Sequence, residues 1–447
     1  MAWKLLSDER GRCRVFLKSF GCSSNVADGE FMAGCLAEAG FELVGSPKEA
    51  DVLIYNTCAV KTPTENRAIE ILKRAGQMRN KRLLITGCLP LVDFKRLKDE
   101  VRFDAALGPS CGPKIVEAIQ KTVKSETGAL LKPDRNVKTN LFLPRRVINP
   151  VVSIIPVAQG CLGSCSYCCV VFARGRLRSH SIHDIVKRVQ ADLDSGAREI
   201  WLTGQDMASY GRDVGVKLTS LLQEVYSLEG DYVVRVGMMT PNLALDMLPD
   251  LVKAFQNEHV FKFLHLPVQS GDDEVLKSMN RLYTVKQFEL IVRAFRNAMP
   301  TITLATDVIC GFPSESEEAF ERTLHLIEEV KPDIVNISKF FSRPGTAAEK
   351  MKLKIPPKEV TARSKRAANL VRKTSLEKNR AWMNWQGRIL IDERGKQPGT
   401  LIGRNFAYKP IVVKSVDDRL LGSFVDVCVT KTFQTYLEAE ITDSETS

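Results

Sequence analysis

Three cysteines at 161, 165 and 168 stand in the run Gln159-Gly-Cys-Leu-Gly-Ser-Cys-Ser-Tyr-Cys168, just after the apolar stretch from Val151 to Val157. A cube of four irons takes four thiolates, and this loop supplies three, so one iron is left open to a small-molecule ligand. The spacing therefore predicts a site-differentiated iron–sulfur cluster. Zinc usually takes two ligand pairs of Cys-x-x-Cys or Cys/His type, and no second pair stands within zinc-finger distance of Cys168. Disulfides need an oxidising compartment. The opening residues Met1 to Arg10 carry acidic side chains and no long apolar stretch, which does not read as a secretory signal. A zinc-containing RNA-binding protein without radical chemistry is the alternative of a different class.

Three more cysteines follow short apolar runs that read as buried strands. Cys22 comes after Val15 to Phe20, Cys58 after Asp51 to Tyr55, and Cys88 after Arg82 to Thr86. Helical patterns from Val26 to Ala39, Pro63 to Met78 and Pro113 to Val123 alternate with them, which implies a small doubly wound parallel sheet. All three cysteines then lie at the carboxyl ends of neighbouring strands, the rim where such sheets bind ligands. Glycines beside Cys22 and Cys88 favour a second cluster, which needs close backbone approach. Three buried cysteines filling small spaces is the competing reading. Cys13, Cys35, Cys111, Cys169, Cys310 and Cys428 belong to no motif and read as structural.

Residues 151 to 341 repeat a strand and a helix six times, with strands over Val152 to Val157, Glu199 to Thr203, Val233 to Met238, Phe261 to Leu266, Thr303 to Ile309 and Ile334 to Phe340. Six such units make an open relative of the eight-fold barrel, whose carboxyl face is the catalytic one. Just past the strands come Gly204 and Gln205, His265, Gln269, Asp307 and Arg343. His265 alone reads equally well as a core histidine. From Lys358 to Arg380 a helical pattern carries eight basic and two acidic residues, and from Trp382 short β-like runs separated by glycines predict a small barrel of about five strands. Arg388, Arg404, Phe406 and Lys409 mix cations with an aromatic face, as binders of single-stranded RNA do. A solvated basic surface is the plainer reading. The acidic tail from Glu438 to Ser447 is expected to be disordered.

With 447 residues and 44% hydrophobic content, the chain can bury several cores, and its length suggests about three domains. No apolar run reaches the roughly 18 residues that cross a membrane, and a cytoplasmic enzyme is expected. The net charge of +11, from 64 basic and 53 acidic residues, suits a polyanionic partner.

Taken together, these motifs resemble the methylthiotransferase family of radical S-adenosylmethionine enzymes over nearly the whole chain. Gly160-Cys-Leu-Gly-Ser-Cys-Ser-Tyr-Cys168, Ala173-Arg-Gly-Arg-Leu-Arg-Ser179 and Arg235-Val-Gly-Met-Met239 look like its archaeal and eukaryotic branch. Cys169, and Thr240-Pro-Asn in place of the commoner Asn-Pro, depart from the family pattern without touching a cluster ligand. The resemblance implies an α/β chain of three parts. These are an N-terminal methylthiotransferase domain over residues 12–122, a partial (β/α)6 radical core over 147–377 and a small antiparallel TRAM-like RNA-binding β-barrel over 380–442. It implies two 4Fe–4S clusters, one on Cys161, Cys165 and Cys168 and one on Cys22, Cys58 and Cys88, with two S-adenosylmethionine molecules used per turnover. Tyr167, Gly204, Gln205, Arg235, His265, Gln269 and Asp307 would line the cofactor pocket, and Arg343, Arg388, Arg404, Phe406 and Lys409 would meet the substrate. The branch methylthiolates C2 of N6-threonylcarbamoyladenosine, 3′ to the anticodon of tRNA, with an electron donor and a sulfur donor as further partners. Other branches act on isopentenyladenosine in tRNA or on an aspartate of a ribosomal protein.

Overall fold

The computed structural model of the chain describes residues 13–59, 62–123 and 139–442. The opening Met1 to Arg10 and the last five residues of the acidic tail lie outside them. The residues group into two compact units, one of Met1–Ile148, Ala158–Ser179 and Ser342–Glu349, the other of Asn149–Val157, His180–Phe341 and Lys350–Ser447. The loop carrying Cys161, Cys165 and Cys168 thus groups with the N-terminal residues and not with the strands Val152–Pro156 and Glu199–Thr203.

In the first unit, strands β1 (Arg14–Ser19), β2 (Glu42–Leu43), β3 (Val52–Thr57), β4 (Arg82–Gly87) and β5 (Ala105–Ala106) form a parallel sheet in the order β2-β1-β3-β4-β5. All six residues of β3 are buried. Such strands read as continuous apolar runs because both faces are covered. Leu53, Tyr55, Leu83 and Ile85 pack on one side with Ile69 and Leu72 of helix Thr62–Gly76. Ile54 and Leu84 pack on the other with Met32 and Leu36 of helix Ser23–Glu38 and Ile115 and Ile119 of helix Lys114–Val123. Each such fully buried aliphatic side chain contributes about 1.5–3 kcal/mol. The chain leaves β1 for β2 on one side and returns to β3 on the other, so the topological switch point lies between β1 and β3. In the same unit β7 (Ala158–Gln159) and β8 (Arg178–Ser179) pair antiparallel and close the base of the cysteine loop.

The second unit contains β6 (Val152–Pro156), β9 (Glu199–Thr203), β10 (Val233–Val236), β11 (Phe263–His265), β12 (Thr303–Cys310) and β13 (Ile334–Lys339). They form two parallel three-stranded sheets, β6-β9-β10 and β11-β12-β13, joined by the Val234–Val260 bridge. This is the six-stranded open barrel expected. The C-terminal strands β14 (Gln386–Arg394), β15 (Thr400–Arg404), β16 (Pro410–Lys414), β17 (Phe424–Thr432) and β18 (Leu437–Ile441) close in the order β14-β15-β16-β18-β17. Closure needs one parallel pair, β16 with β18, among otherwise antiparallel neighbours. The expectation of a disordered acidic tail fails at its start. Glu438 to Ile441 belong to β18, where pairing with β17 on one side and β16 on the other satisfies their backbone.

Within this unit the C-terminal barrel meets the inner row of the open barrel. Trp201, Arg235 and Phe263 lie on neighbouring strands, and the Arg235 guanidinium stands 4.7 Å from the Trp201 ring, 5.2 Å from Phe263 and 5.2 Å from Tyr408 of the C-terminal barrel. Arg404 also stands over the Tyr408 ring, 4.9 Å away, and its Nε donates to Asp392 at 3.0 Å. Lys262 N donates to the Phe406 carbonyl at 2.7 Å. Glu199, fully buried, accepts from the Trp201 indole. Burial pushes its carboxyl up to about 8, and the neighbouring Asp392 charge adds to the rise.

That shift has a definite sign. An unfolded glutamate titrates near its ordinary value of about 4.3, so between there and about 8 the folded state holds a proton that the unfolded state has released. Stability is therefore present below the unfolded value and is lost as pH rises towards the folded one. Glu199→Gln is expected to become more stable relative to the native chain between about pH 5 and pH 8, by up to about 1.4 kcal/mol per unit. Urea unfolding across that range checks it, and a constant difference would contradict the buried protonated carboxyl.

Candidate iron–sulfur centres and cofactor face

In the first unit Cys22, Cys58 and Cys88 leave the carboxyl ends of β1, β3 and β4, and the first two flank the switch point. Cys22 caps helix Ser23–Glu38 and Cys88 caps the short helix Leu89–Val92, which places the positive end of a helix dipole beside Cys22. Gly21, at φ +104°, leaves no room for a side chain, since a Cβ there would lie 2.5 Å from Cys58 Cβ and 2.8 Å from its sulfur. Asn25 holds the two strand ends together. Its Nδ2 donates to the Phe20 carbonyl at 2.8 Å and the Thr57 carbonyl at 2.9 Å, and its Oδ1 lies 3.9 Å from Cys88 Sγ. Cys88 N in turn donates to the Thr57 carbonyl at 2.9 Å. Burial pushes the Cys88 thiol up to about 12 against the opposing pull of Arg174. Metal binding would have to displace that proton.

The second triad lies in the loop closed by β7 and β8. Cys161 N donates to the Gly175 carbonyl at 3.2 Å, and Cys168 N to the Cys165 carbonyl at 3.1 Å. Gly163 N donates to Cys161 Sγ at 3.2 Å, and a Cβ on Gly163 would stand 3.3 Å from that sulfur and 3.7 Å from Cys165 Sγ. The backbone thus passes directly beneath two of the three sulfurs, with Tyr167 half-buried beside them. Both triads fit a cluster by donor type and by this close glycine approach. No three His, Cys, Asp or Glu side chains among the described residues close on a point as a single metal ion requires, whereas a four-iron cube takes its thiolates on separate corners. Cys169 lies in the apolar core of this unit. Buried, with Sγ 3.6 Å from the Ala59 carbonyl, it sits against the segment that follows Cys58.

In the second unit the polar residues expected on the catalytic face form a row across three strands. His265 Nε2 lies 3.2 Å from Asp307 Oδ2, and Asn336 Nδ2 donates to Asp307 Oδ1 at 2.7 Å. Gln269, at φ +74°, donates its N–H to the Asp307 carbonyl at 2.8 Å and accepts from Ile309 N at 3.0 Å. Gly204 and Gln205 follow β9 at the same end of the strands. Arg235 does not join them. It is clamped among aromatic rings at the junction with the C-terminal barrel, so its place in the expected cofactor pocket is corrected to a bracing one. Arg343, expected to meet substrate, is buried in the first unit and paired with Glu65, which also binds Arg96 at 2.7 Å.

Comparison with known proteins bears on these arrangements. Residues 155–327 match the Radical SAM superfamily, 14–108 the Uncharacterized protein family UPF0004, and 387–442 the TRAM domain. A probable threonylcarbamoyladenosine tRNA methylthiotransferase of Pyrococcus horikoshii is 40% identical over 96% of this chain and 99% of its own length. The threonylcarbamoyladenosine tRNA methylthiotransferase of Drosophila melanogaster is 35% identical over 97% of this chain and 79% of its own. The chain belongs to the threonylcarbamoyladenosine tRNA methylthiotransferase family. Among solved structures, the radical S-adenosylmethionine methyltransferase TsrM of Kitasatospora setae shares its fold, with a TM-score of 0.55 over 76% of this chain and 74% of that one at 14% identity.

The family's RNA-facing residues were expected at Arg388, Arg404, Phe406 and Lys409, and the structure divides them. Arg388 is exposed, 4.1 Å from the Phe424 ring and 2.5 Å from Asp231, and Phe406 is 43% exposed. Arg404 is committed to Asp392 and Glu393. Lys409 is buried, with Nζ 2.7 Å from Asp333 and 3.0 Å from Asn379 Oδ1. Both cations anchor the barrel, because a buried charge needs a partner more than a surface one does. Sequence reading missed Asn25, Asp28, Arg174 and Asn336. The signal was there in polar residues on faces that should be apolar, as with Asn25 and Asp28 on the first helix and Asn336 within Ile-Val-Asn-Ile-Ser.

Lys409→Met would leave Asp333 charged and buried without its cation, a loss of about 3–5 kcal/mol. Arg388→Ala, at an exposed pair, would cost at most about 1 kcal/mol. Denaturant midpoints of the two variants distinguish an anchor from an RNA contact at Lys409, and equal midpoints would contradict the anchor.

Proposed function

We propose that this chain methylthiolates C2 of N6-threonylcarbamoyladenosine in tRNA, on the 3′ side of the anticodon. The observation that carries the reading is the near-full-length likeness to proteins named for that activity, spanning the cysteine loop, the N-terminal sheet and the terminal barrel. Cys161, Cys165 and Cys168 would hold one 4Fe–4S cluster with an iron free for the amino and carboxylate groups of S-adenosylmethionine. Cys22, Cys58 and Cys88 would hold a second. When bound, these groups supply the electron for reductive cleavage of one S-adenosylmethionine and the sulfur that enters C2, and a second S-adenosylmethionine supplies the methyl group. A one-electron reductant and a sulfur source would be the remaining partners.

The chain's own residues bind and orient. Gln269, its backbone fixed on β12, and the His265–Asp307–Asn336 row offer donors and acceptors at the strand ends where ligands of such barrels sit. Asp307 would hold the His265 Nε2 proton, leaving the other ring nitrogen towards the ligand. For RNA, the exposed cations Lys365, Arg372, Lys373 and Arg380 recur along helix Pro357–Arg380 and form no ion pair among the described residues. Arg366, by contrast, is spent on Glu317 and Glu321.

Replacing Cys161, Cys165 and Cys168 together by alanine should leave roughly half the iron and abolish 5′-deoxyadenosine formation. Replacing Cys22, Cys58 and Cys88 should also leave about half, while sparing cleavage and stopping methylthiolation. Iron analysis and product chromatography read both, and methylthio product from the second variant would refute the sulfur-delivery role.

Nucleosides from tRNA carrying or lacking the threonylcarbamoyl group, incubated with reconstituted enzyme, S-adenosylmethionine, sulfide and dithionite, test the substrate by mass spectrometry. Product from the threonylcarbamoyl tRNA alone supports the reading. Equal product from both, or product only on isopentenyladenosine, rejects it. Replacing Lys365, Arg372, Lys373 and Arg380 by glutamine should weaken tRNA binding and lower the logarithmic salt slope by about 0.7–0.9 for each phosphate no longer neutralised. Filter binding over a salt series with an unchanged slope would remove this helix from the RNA surface.

A further inference from the structure

Helix Val170–Arg174 starts two residues after Cys168 and ends beside the other triad. Arg174, 5% exposed, donates from Nη2 to Asn25 Oδ1 at 2.6 Å and to Asp28 Oδ2 at 2.7 Å. Asn25 is the residue that ties together the strand ends bearing Cys22 and Cys58, and its Oδ1 faces Cys88 Sγ. The other oxygen of Asp28 accepts from Ser110 Oγ at 2.9 Å, and Ser110 is bound in turn by Gln159, two residues before Cys161. Asp28 divides its two oxygens between Arg174 and Ser110, while Arg174 also reaches Asn25 Oδ1, the atom 3.9 Å from Cys88 Sγ. A single amide oxygen thus stands between the guanidinium and the Cys88 sulfur.

We propose that Arg174 is a positioning residue for the N-terminal cluster, placing a fixed positive charge close to the Cys88 thiolate and thereby raising the reduction potential of the iron that Cys22, Cys58 and Cys88 hold. The inference rests on the reading above that this triad binds a cluster. A reduced cluster carries one more negative charge than an oxidised one, and in a buried site a neighbouring guanidinium favours the reduced form. The motif that carries one triad would then supply the cation for the other.

The test uses the full chain with Cys161, Cys165 and Cys168 replaced by alanine, so that one cluster alone is read. Midpoint potentials are taken by redox titration followed by electron paramagnetic resonance, with Arg174 native, Arg174→Lys or Arg174→Gln. Arg174→Gln should shift the reduction equilibrium at least tenfold towards the oxidised form, about 59 mV for a one-electron couple. Arg174→Lys should stay close to native. Loss of the cluster in Arg174→Gln but not in Arg174→Lys would also support a charge requirement. An unchanged potential in Arg174→Gln, or a shift or cluster loss shared equally by Arg174→Lys, would overturn the inference. Failure of the background with native Arg174 to hold any cluster would instead refute the reading of the triad itself.

Discussion

Asn25 makes the hydrogen bonds on which the first unit's site depends. The bonding between parallel strands β1 and β3 runs on to Phe20 N and the Asn56 carbonyl at 2.8 Å, the point where the sheet's order reverses. A single buried amide satisfies the Phe20 and Thr57 carbonyls at once and so fixes the directions in which Cys22 and Cys58 leave the sheet. The Thr57 carbonyl accepts from Cys88 N as well, so the loss of Asn25 would fall on the Phe20 carbonyl, at about 1–3 kcal/mol if left unpaired. The same side chain accepts from Arg174, so the geometry of the N-terminal triad depends on a residue of the loop that carries the other triad. Gly21 completes the constraint by letting the backbone pass against Cys58 where any side chain would collide.

This grouping changes how the domains divide the work. Cys161, Cys165 and Cys168 lie between strands of the open barrel in sequence, yet their loop packs with the N-terminal sheet, and Phe172, Ala173 and Cys169 join its core. The open barrel contributes the His265–Asp307–Asn336 row, and the C-terminal barrel closes on the barrel's inner row through Tyr408. Arg235, Arg404 and Lys409, three cations that resemble RNA or cofactor contacts in sequence, are consumed in that junction. The cations free for a polyanion stand on helix Pro357–Arg380 instead.

What was legible in the sequence follows from local physics. Strands such as Val-Leu-Ile-Tyr and Leu-Leu-Ile-Thr announced a sheet covered on both faces, and the cysteines after them announced its rim. The six units of the open barrel and the five strands of the terminal one were likewise set by periodicity and turn residues. Side-chain destination was not legible, because it depends on partners distant in the chain. Lys409 is decided by Asp333, Arg343 by Glu65, and Arg174 by Asn25 and Asp28. A cation beside an aromatic reads the same in sequence whether it faces water or a buried carboxylate. The strand Leu437–Ile441 was missed for a related reason, since its acidic composition argues for solvent while its backbone is required to close the barrel.

The central proposal is that the two cysteine triads, which lie in one compact unit and are linked through the segment from Cys168 to Arg174, would each hold a cluster. Two paramagnetic centres within one such unit would interact magnetically, so the electron paramagnetic resonance spectrum of the reduced, fully reconstituted chain tests the proposal most directly. The account predicts a spectrum broadened or split relative to the sum of the spectra of the two triple-cysteine variants. A spectrum equal to that sum would contradict it.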